Sequence, residues 1–222
     1  MLNAEKYIQD LLSILKEEFG ERLAYVGLQG SYLRGEANED SDIDIMVLIR
    51  DLSTSDMLAY RSAIESLESP EKSCGFIAGL EEMKNWNPLE ICHLLNTTKD
   101  CYGCLSELVP AYSDMDVRAF VKMSLGNLYH EICHRYIHAK AERSVEALPH
   151  AYKAVFFILQ NMHYLETHAF LRTKQALLQA LSGKDRQALE TALKYGRGER
   201  VEFHSAFELL LGWIKDALRR TT

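Results

Sequence analysis

Residues 28–49 read LQGSYLRGEANEDSDIDIMVLI, and the two aspartates near the end of this stretch restrict the fold more than any other feature of the chain. Ile43, Ile45, Met46, Val47, Leu48 and Ile49 form a short, branched, apolar run that reads as a buried strand. Asp42 and Asp44 stand at its beginning, and carboxylates are rarely buried without a partner. The strand must therefore open at an exposed end or beside a cation. Side chains at i and i+2 share one face of a strand, so the two carboxylates project together.

The flanking sequence supplies the rest of an α+β unit. RLAYVGLQ reads as a strand broken at Gly30, separated from the Asp-bearing strand by a polar loop over residues 34–41. Residues 3–19 place Tyr7, Ile8, Leu11, Leu12, Ile14 and Leu15 at helical spacing, with Gly20 as a left-handed stop. Ser53 followed by Asp56 predicts a capped helix through Leu67. Residues 69–88 show no clear pattern, and PLEICHLL, residues 88–95, reads as a third strand. After Pro110 the apolar residues recur at three and four. Helices are expected over 114–140, from about 149 to 181, and over 200–219, with breaks at Pro149 and Gly183. The expected organisation is an α+β domain over residues 1–112 followed by an antiparallel all-α helical bundle over residues 113–222.

A formal net charge of −7 argues against a nucleic-acid or anionic-membrane binder, since both need an excess of Lys and Arg. The charge is unevenly divided. Residues 1–112 carry 9 Lys and Arg against 20 Asp and Glu, and residues 113–222 carry 16 against 12. No stretch approaches the roughly 18 apolar residues of a membrane span, and the N-terminus lacks a signal pattern, so a cytoplasmic location is expected. Five cysteines, an odd number, are expected as free thiols.

The paired carboxylates suit Mg²⁺, which takes one or two protein carboxylates and completes its shell with water and substrate phosphate. Gly30 and Ser31 suit the phosphate: glycine lets backbone approach a ligand, and N–H groups at a strand-to-helix turn cradle phosphate oxygens beside the Ser hydroxyl. GSYLRG followed by SDIDIMV resembles the signature of the DNA polymerase beta superfamily of nucleotidyltransferases, Gly-Ser and then Asp-x-Asp on neighbouring strands, with ten residues here between Ser31 and Asp42. The whole chain loosely resembles the antibiotic adenylyltransferase branch, which joins a mixed-sheet nucleotidyltransferase domain to a C-terminal helical bundle. That resemblance implies a Mg²⁺-dependent enzyme, with one or two ions, moving AMP from ATP to a hydroxyl of an aminoglycoside-like small molecule. It implies Asp42, Asp44 and Glu90 as catalytic and metal-holding carboxylates, Glu90 being the match to a third carboxylate on a later strand. Gly30, Ser31, Arg34, Ser41 and Lys174 are the implied nucleotide-binding residues, Lys174 through the Thr173-Lys174 pair opening a late helix. Arg34 suits either a phosphate or a salt bridge to Glu36 or Asp40. The partners implied are a nucleoside triphosphate and a hydroxyl acceptor, with neither nucleic acid nor membrane; a homodimer is compatible.

Other readings rest on other residues. A protein-modifying or antitoxin-type nucleotidyltransferase would act on a macromolecular partner. His130-Glu131-x-x-His134 matches the zinc-peptidase pattern, with His138 continuing the same helix face but no clear third ligand. Cys92, His93, Cys101 and Cys104 form a looser zinc-like cluster.

Overall fold

The computed structural model describes residues 2–221. The chain divides into two compact units, the first running to Tyr112 and the second beginning at Ser113.

The first unit is built on helix α1 (Ala4–Phe19), whose N-terminus is capped by the Asn3 side chain accepting from the Lys6 amide at 3.1 Å. Tyr7, Ile8, Leu11, Leu15 and Phe19 bury one face of it, each contributing about 1.5–3 kcal/mol when fully covered. Strand β1 (Leu23–Leu28) leads into a five-residue helix α2 (Gly30–Arg34), and β2 (Ile43–Ile49) follows the polar loop. Helix α3 (Thr54–Glu65) opens with the expected capping box, Ser53 and Asp56 each satisfying the other's backbone amide.

The segment without a clear sequence pattern contains β3 (Ser73–Gly79) and α4 (Leu80–Lys84), and residues 88–97 are not a strand but helix α5 (Pro88–Thr97). Pro88 at the first helical position and Asn87, which accepts from the Leu89 amide at 3.2 Å, start this helix. A last strand, β4 (Lys99–Tyr102), closes a four-stranded mixed sheet of order β3-β2-β1-β4. β1 runs antiparallel to β2 and β4, and β2 runs parallel to β3. Ile43, Ile45, Val47 and Ile49 pack on α1 and α3, whereas Met46 and Leu48 join Tyr25, Met83 and Ile91 on the opposite face.

The second unit is all helix: α6 (Asp114–His138), α7 (Ala141–Thr167), α8 (Lys174–Ala180), α9 (Gly183–Gly196) and α10 (Phe203–Arg220). Pro149, expected to break the chain, lies inside α7, and Gly183 begins α9 rather than ending a helix. Proline forgoes one helical hydrogen bond, to the carbonyl of exposed Val145, while buried Leu148, Ala151 and Tyr152 on the same turns carry the helix through. The core gathers around Trp213, Tyr152, Leu159 and Leu210. Trp213 Nε1 donates to Asp185 at 2.7 Å, and Arg220 grips the same carboxylate with two nitrogens. Among the described residues no helix is long and apolar enough to cross a membrane.

Candidate active site

Strand alternation puts Asp44 on the Met46 side of the sheet, at the first turn of β2 where the strand emerges from its loop. Asp42 lies just before the strand and is exposed; Asp44 is half-buried. Burial pushes the Asp44 carboxyl above its usual range, the Arg34 cation lowers it, the Asp42 charge raises it again, and a hydrogen bond from the Cys74 thiol lowers it. The net shift is upward. A half-buried carboxylate whose charge is incompletely compensated, beside a second carboxylate, is a donor set that fits a divalent cation.

The backbone at Gly30 is built against this group. Gly30 has φ of +69°, and a Cβ there would sit 1.7 Å from Asp44 Oδ2, so only glycine allows the turn to approach the carboxylate. The Gln29 amide donates to the Asp44 carbonyl at 2.8 Å, and its side chain donates to Thr98 Oγ1 at 2.8 Å, fixing the end of β1 on both flanks. Ser31 follows Gly30 on α2, which ends at Gly35 in the left-handed region. Ser41 is engaged within the loop, accepting from the Asn38 amide at 2.9 Å and lying 3.1 Å from Asn38 Oδ1. Arg34 takes the salt-bridge option to Glu36, at 2.9 Å with both side chains largely covered, while its charge also reaches Asp44.

Glu90 is on a helix, not on a strand, yet it lies over the face that carries Asp44. Its carboxylate accepts from Trp86 Nε1 at 2.7 Å; Trp86 packs edge-on against Phe76 at 5.3 Å; and Phe76 pairs in register with Met46, two residues on from Asp44. Strand β3 itself contains no acidic residue, and its Cys74 stands in register with Asp44. Asp100 on β4 is engaged by the Tyr25 hydroxyl at 2.6 Å. No sequence pattern singles out Cys74, because its pairing follows only from the parallel β2-β3 register. His93 stands out in the sequence only as a zinc candidate. It is partly buried on α5 with Nδ1 covered, and this burial, with a further contribution from the Arg34 cation, pushes its imidazole down to about 4. Lys174 opens α8 in the second unit, behind a Thr173 cap that accepts from the Ala176 amide at 3.2 Å, and its ammonium lies 6.0 Å from the Phe156 ring centroid.

The other clusters do not assemble. Among the described residues no group of three His, Cys, Asp or Glu side chains is placed to hold a metal, so neither the peptidase motif nor the Cys92, His93, Cys101, Cys104 set forms a zinc pocket, and Glu90 does not join Asp42 and Asp44 as a third metal-holding carboxylate. None of the five cysteines is in a disulfide.

Residues 8–88, which span the Gly-Ser turn and both aspartates, match the family model described as a nucleotidyltransferase domain. The chain is 39% identical over 71 residues to the protein adenylyltransferase MntA of Thermococcus cleftensis, covering 69% of that protein and 31% of this chain. It is 33% identical over 78 residues to the candidate protein adenylyltransferase MJ0604 of Methanocaldococcus jannaschii, covering 78% of that protein and 32% of this chain. The chain belongs to the nucleotidyltransferase-domain family, within the polymerase beta-like superfamily. It is an enzyme of nucleotidyl transfer. The spectinomycin adenyltransferase AAD(9) of Enterococcus faecialis, solved with ATP and spectinomycin, shares the fold across 98% of this chain and all of that one, with a TM-score of 0.59 and 17% identity. The α+β fold with a C-terminal helical region is therefore that of a nucleotidyltransferase.

Proposed function

We propose that the protein transfers AMP from ATP, with Mg²⁺, to a hydroxyl group of a small molecule and releases pyrophosphate. The observation that carries this reading is the close fit of Gly30 against Asp44, which sets the backbone turn directly beside that carboxylate. Asp42 and Asp44 would hold the metal, and a bound Mg²⁺ supplies charge neutralisation and alignment of the triphosphate for in-line displacement. Backbone N–H groups after Gly30 and the Ser31 hydroxyl orient the phosphates. Arg34 adds positive charge on the same side, and Ser41 holds the loop that delivers Asp42. In the step itself the acceptor oxygen bonds to the α-phosphorus as the α–β bridging P–O bond breaks. The hydroxyl proton passes to Glu90 or to solvent. Lys174 is proposed, from the resemblance alone, as a triphosphate contact.

A second reading, a protein hydroxyl as acceptor, is favoured by the two curated relatives, both bearing protein adenylyltransferase names. Incubation with ATP labelled at the α-phosphate and Mg²⁺, against aminoglycosides, spectinomycin-like aminocyclitols and cell protein, tests both. Label on a small molecule supports the first reading and label on protein the second. In a parallel incubation with γ-labelled ATP, transfer of that label, or in the first incubation no transfer that depends on Asp44, refutes the reaction.

A further inference from the structure

α6 carries His130, His134 and His138 at intervals of four, and all three side chains are exposed. Their rings follow one another along the helix, with centroids 5.8 Å apart for His130 and His134 and 4.9 Å for His134 and His138. They line one open groove together with Glu131, Arg135, Lys140 and Arg143. The motif's Glu131 is engaged by Arg135 Nε at 3.0 Å, so it is poorly placed to act as a peptidase base. The imidazoles are what remains.

The geometry points to a chelating site for one borderline divalent cation of the Zn²⁺, Ni²⁺ or Cu²⁺ class, with His134 as the shared ligand of two alternative pairs. Imidazole suits these ions, whose bonds to nitrogen are about 2.0–2.1 Å for zinc. Residues at i and i+4 are neighbours on a helix face, with Cβ atoms about 5–6 Å apart, so one ion can bridge two adjacent rings. His130 and His138 are separated by about 12 Å of helix axis and cannot share an ion. The three histidines thus do not converge, in agreement with the absence of any three-ligand group among the described residues. The site is a two-imidazole chelate completed by water, and the closer pair, His134 with His138, is its stronger half.

The helix end favours a cation, against the groove's net positive side chains. His138 lies in the last turn of α6, where the unsatisfied carbonyls give the helix its negative end. Glu131 offsets the charge of Arg135, while Lys140 and Arg143 oppose the ion and keep the affinity modest. Mg²⁺ demands oxygen ligands and does not compete here, so this site is independent of the carboxylate pair.

Calorimetric titration of the full chain with NiCl₂ tests this, comparing wild type with His130→Ala, His134→Ala and His138→Ala, all of which retain the five thiols. All three positions are exposed, so each variant should melt as the wild type does. His134→Ala should weaken binding by more than about tenfold, since even losing a ligand's outer hydrogen-bond partner costs about 10- to 100-fold. His138→Ala should weaken it less and His130→Ala least, because each leaves one pair. With Cu²⁺, paramagnetic resonance should show two imidazole nitrogens in wild type and fewer in His134→Ala. Wild-type affinity in His134→Ala, or equal losses in all three variants, would overturn the shared-ligand site.

Discussion

Gly30→Ala separates the two reasons for a glycine at the turn. At φ of +69° any L-residue with a side chain is strained by about 1–2 kcal/mol. The new methyl would in addition lie 1.7 Å from Asp44 Oδ2, roughly half an ordinary contact distance, so the carboxylate must retreat by more than about 1 Å, a displacement that can cost about 10²-fold in rate. Gly35→Ala is the control. Gly35 has φ of +67°, and a methyl added there would meet nothing within 4 Å, so it carries the backbone strain without the collision. Gly35→Ala should lose about 1–2 kcal/mol of stability in denaturant from backbone strain alone, and Gly30→Ala at least as much, the collision adding to the strain. Only Gly30→Ala should lose Mg²⁺-dependent release of pyrophosphate from ATP, by about 10²-fold, with water standing in for the acceptor. Equal activity losses in the two variants, or wild-type activity in Gly30→Ala, would refute the argument that this turn exists to meet the carboxylate.

Asp44→Asn should abolish transfer and leave the melting temperature unchanged or raised, because the native site disfavours the charged carboxylate; a large drop in melting temperature would make Asp44 structural instead. Glu90→Gln keeps an acceptor for Trp86 Nε1, so ATP binding should persist while turnover falls by about 10²-fold if Glu90 takes the acceptor proton; unchanged turnover would leave Glu90 as an anchor for Trp86. Lys174→Ala should raise the KM for ATP more than it lowers kcat, and unaltered kinetics would remove Lys174 from the nucleotide site. Acid should destabilise the fold through Asp56, held low by hydrogen bonds from Arg22 and Ser53, and Glu202, lowered to about 2 by the Ser205 and His204 amides. Both native values are depressed, so their contribution is present above about pH 4 and is lost as pH falls below it; Asp56→Asn should flatten that part of a melting curve against pH, and an unchanged slope would count against it.

How far each element was legible depended on whether its cause was local. β2 is specified by its own residues, since a branched apolar run has few alternatives, and its observed bounds coincide with IDIMVLI. α3 was legible for the same reason: Ser53 and Asp56 cap it without help from distant chain. PLEICHLL had no such local arbiter, because a short apolar run fits a buried strand and a buried helix equally. What decides it is outside the periodicity: Asn87 and Pro88 form a helix start, and Ile91 has a place to bury against Met46, Leu48 and Met83. β3, with Gly75 and Gly79 and only Ala78 and Gly79 buried, is a strand chiefly because β2 offers it a parallel edge.

The same distinction divides the site. The Gly-Ser turn and the Asp-x-Asp pair lie within fifteen residues of one another, the turn just after β1 and the pair at the start of the adjacent β2, so sequence spacing alone sets them together. A third carboxylate depends on which element crosses the Asp44 face, a tertiary fact that no local pattern encodes. The strand beside β2 offers a thiol, Cys74, in register with Asp44 and no carboxylate, and Glu90, expected on a strand, reaches that face from a helix, steadied by Trp86 over Phe76. A side chain held by a neighbouring indole on a helix can be repositioned more readily than one fixed by strand register. The separation of binding from turnover in Glu90→Gln therefore decides more than the role of one residue: it decides whether proton removal from the acceptor belongs to the protein at all, or is left to solvent around the two aspartates.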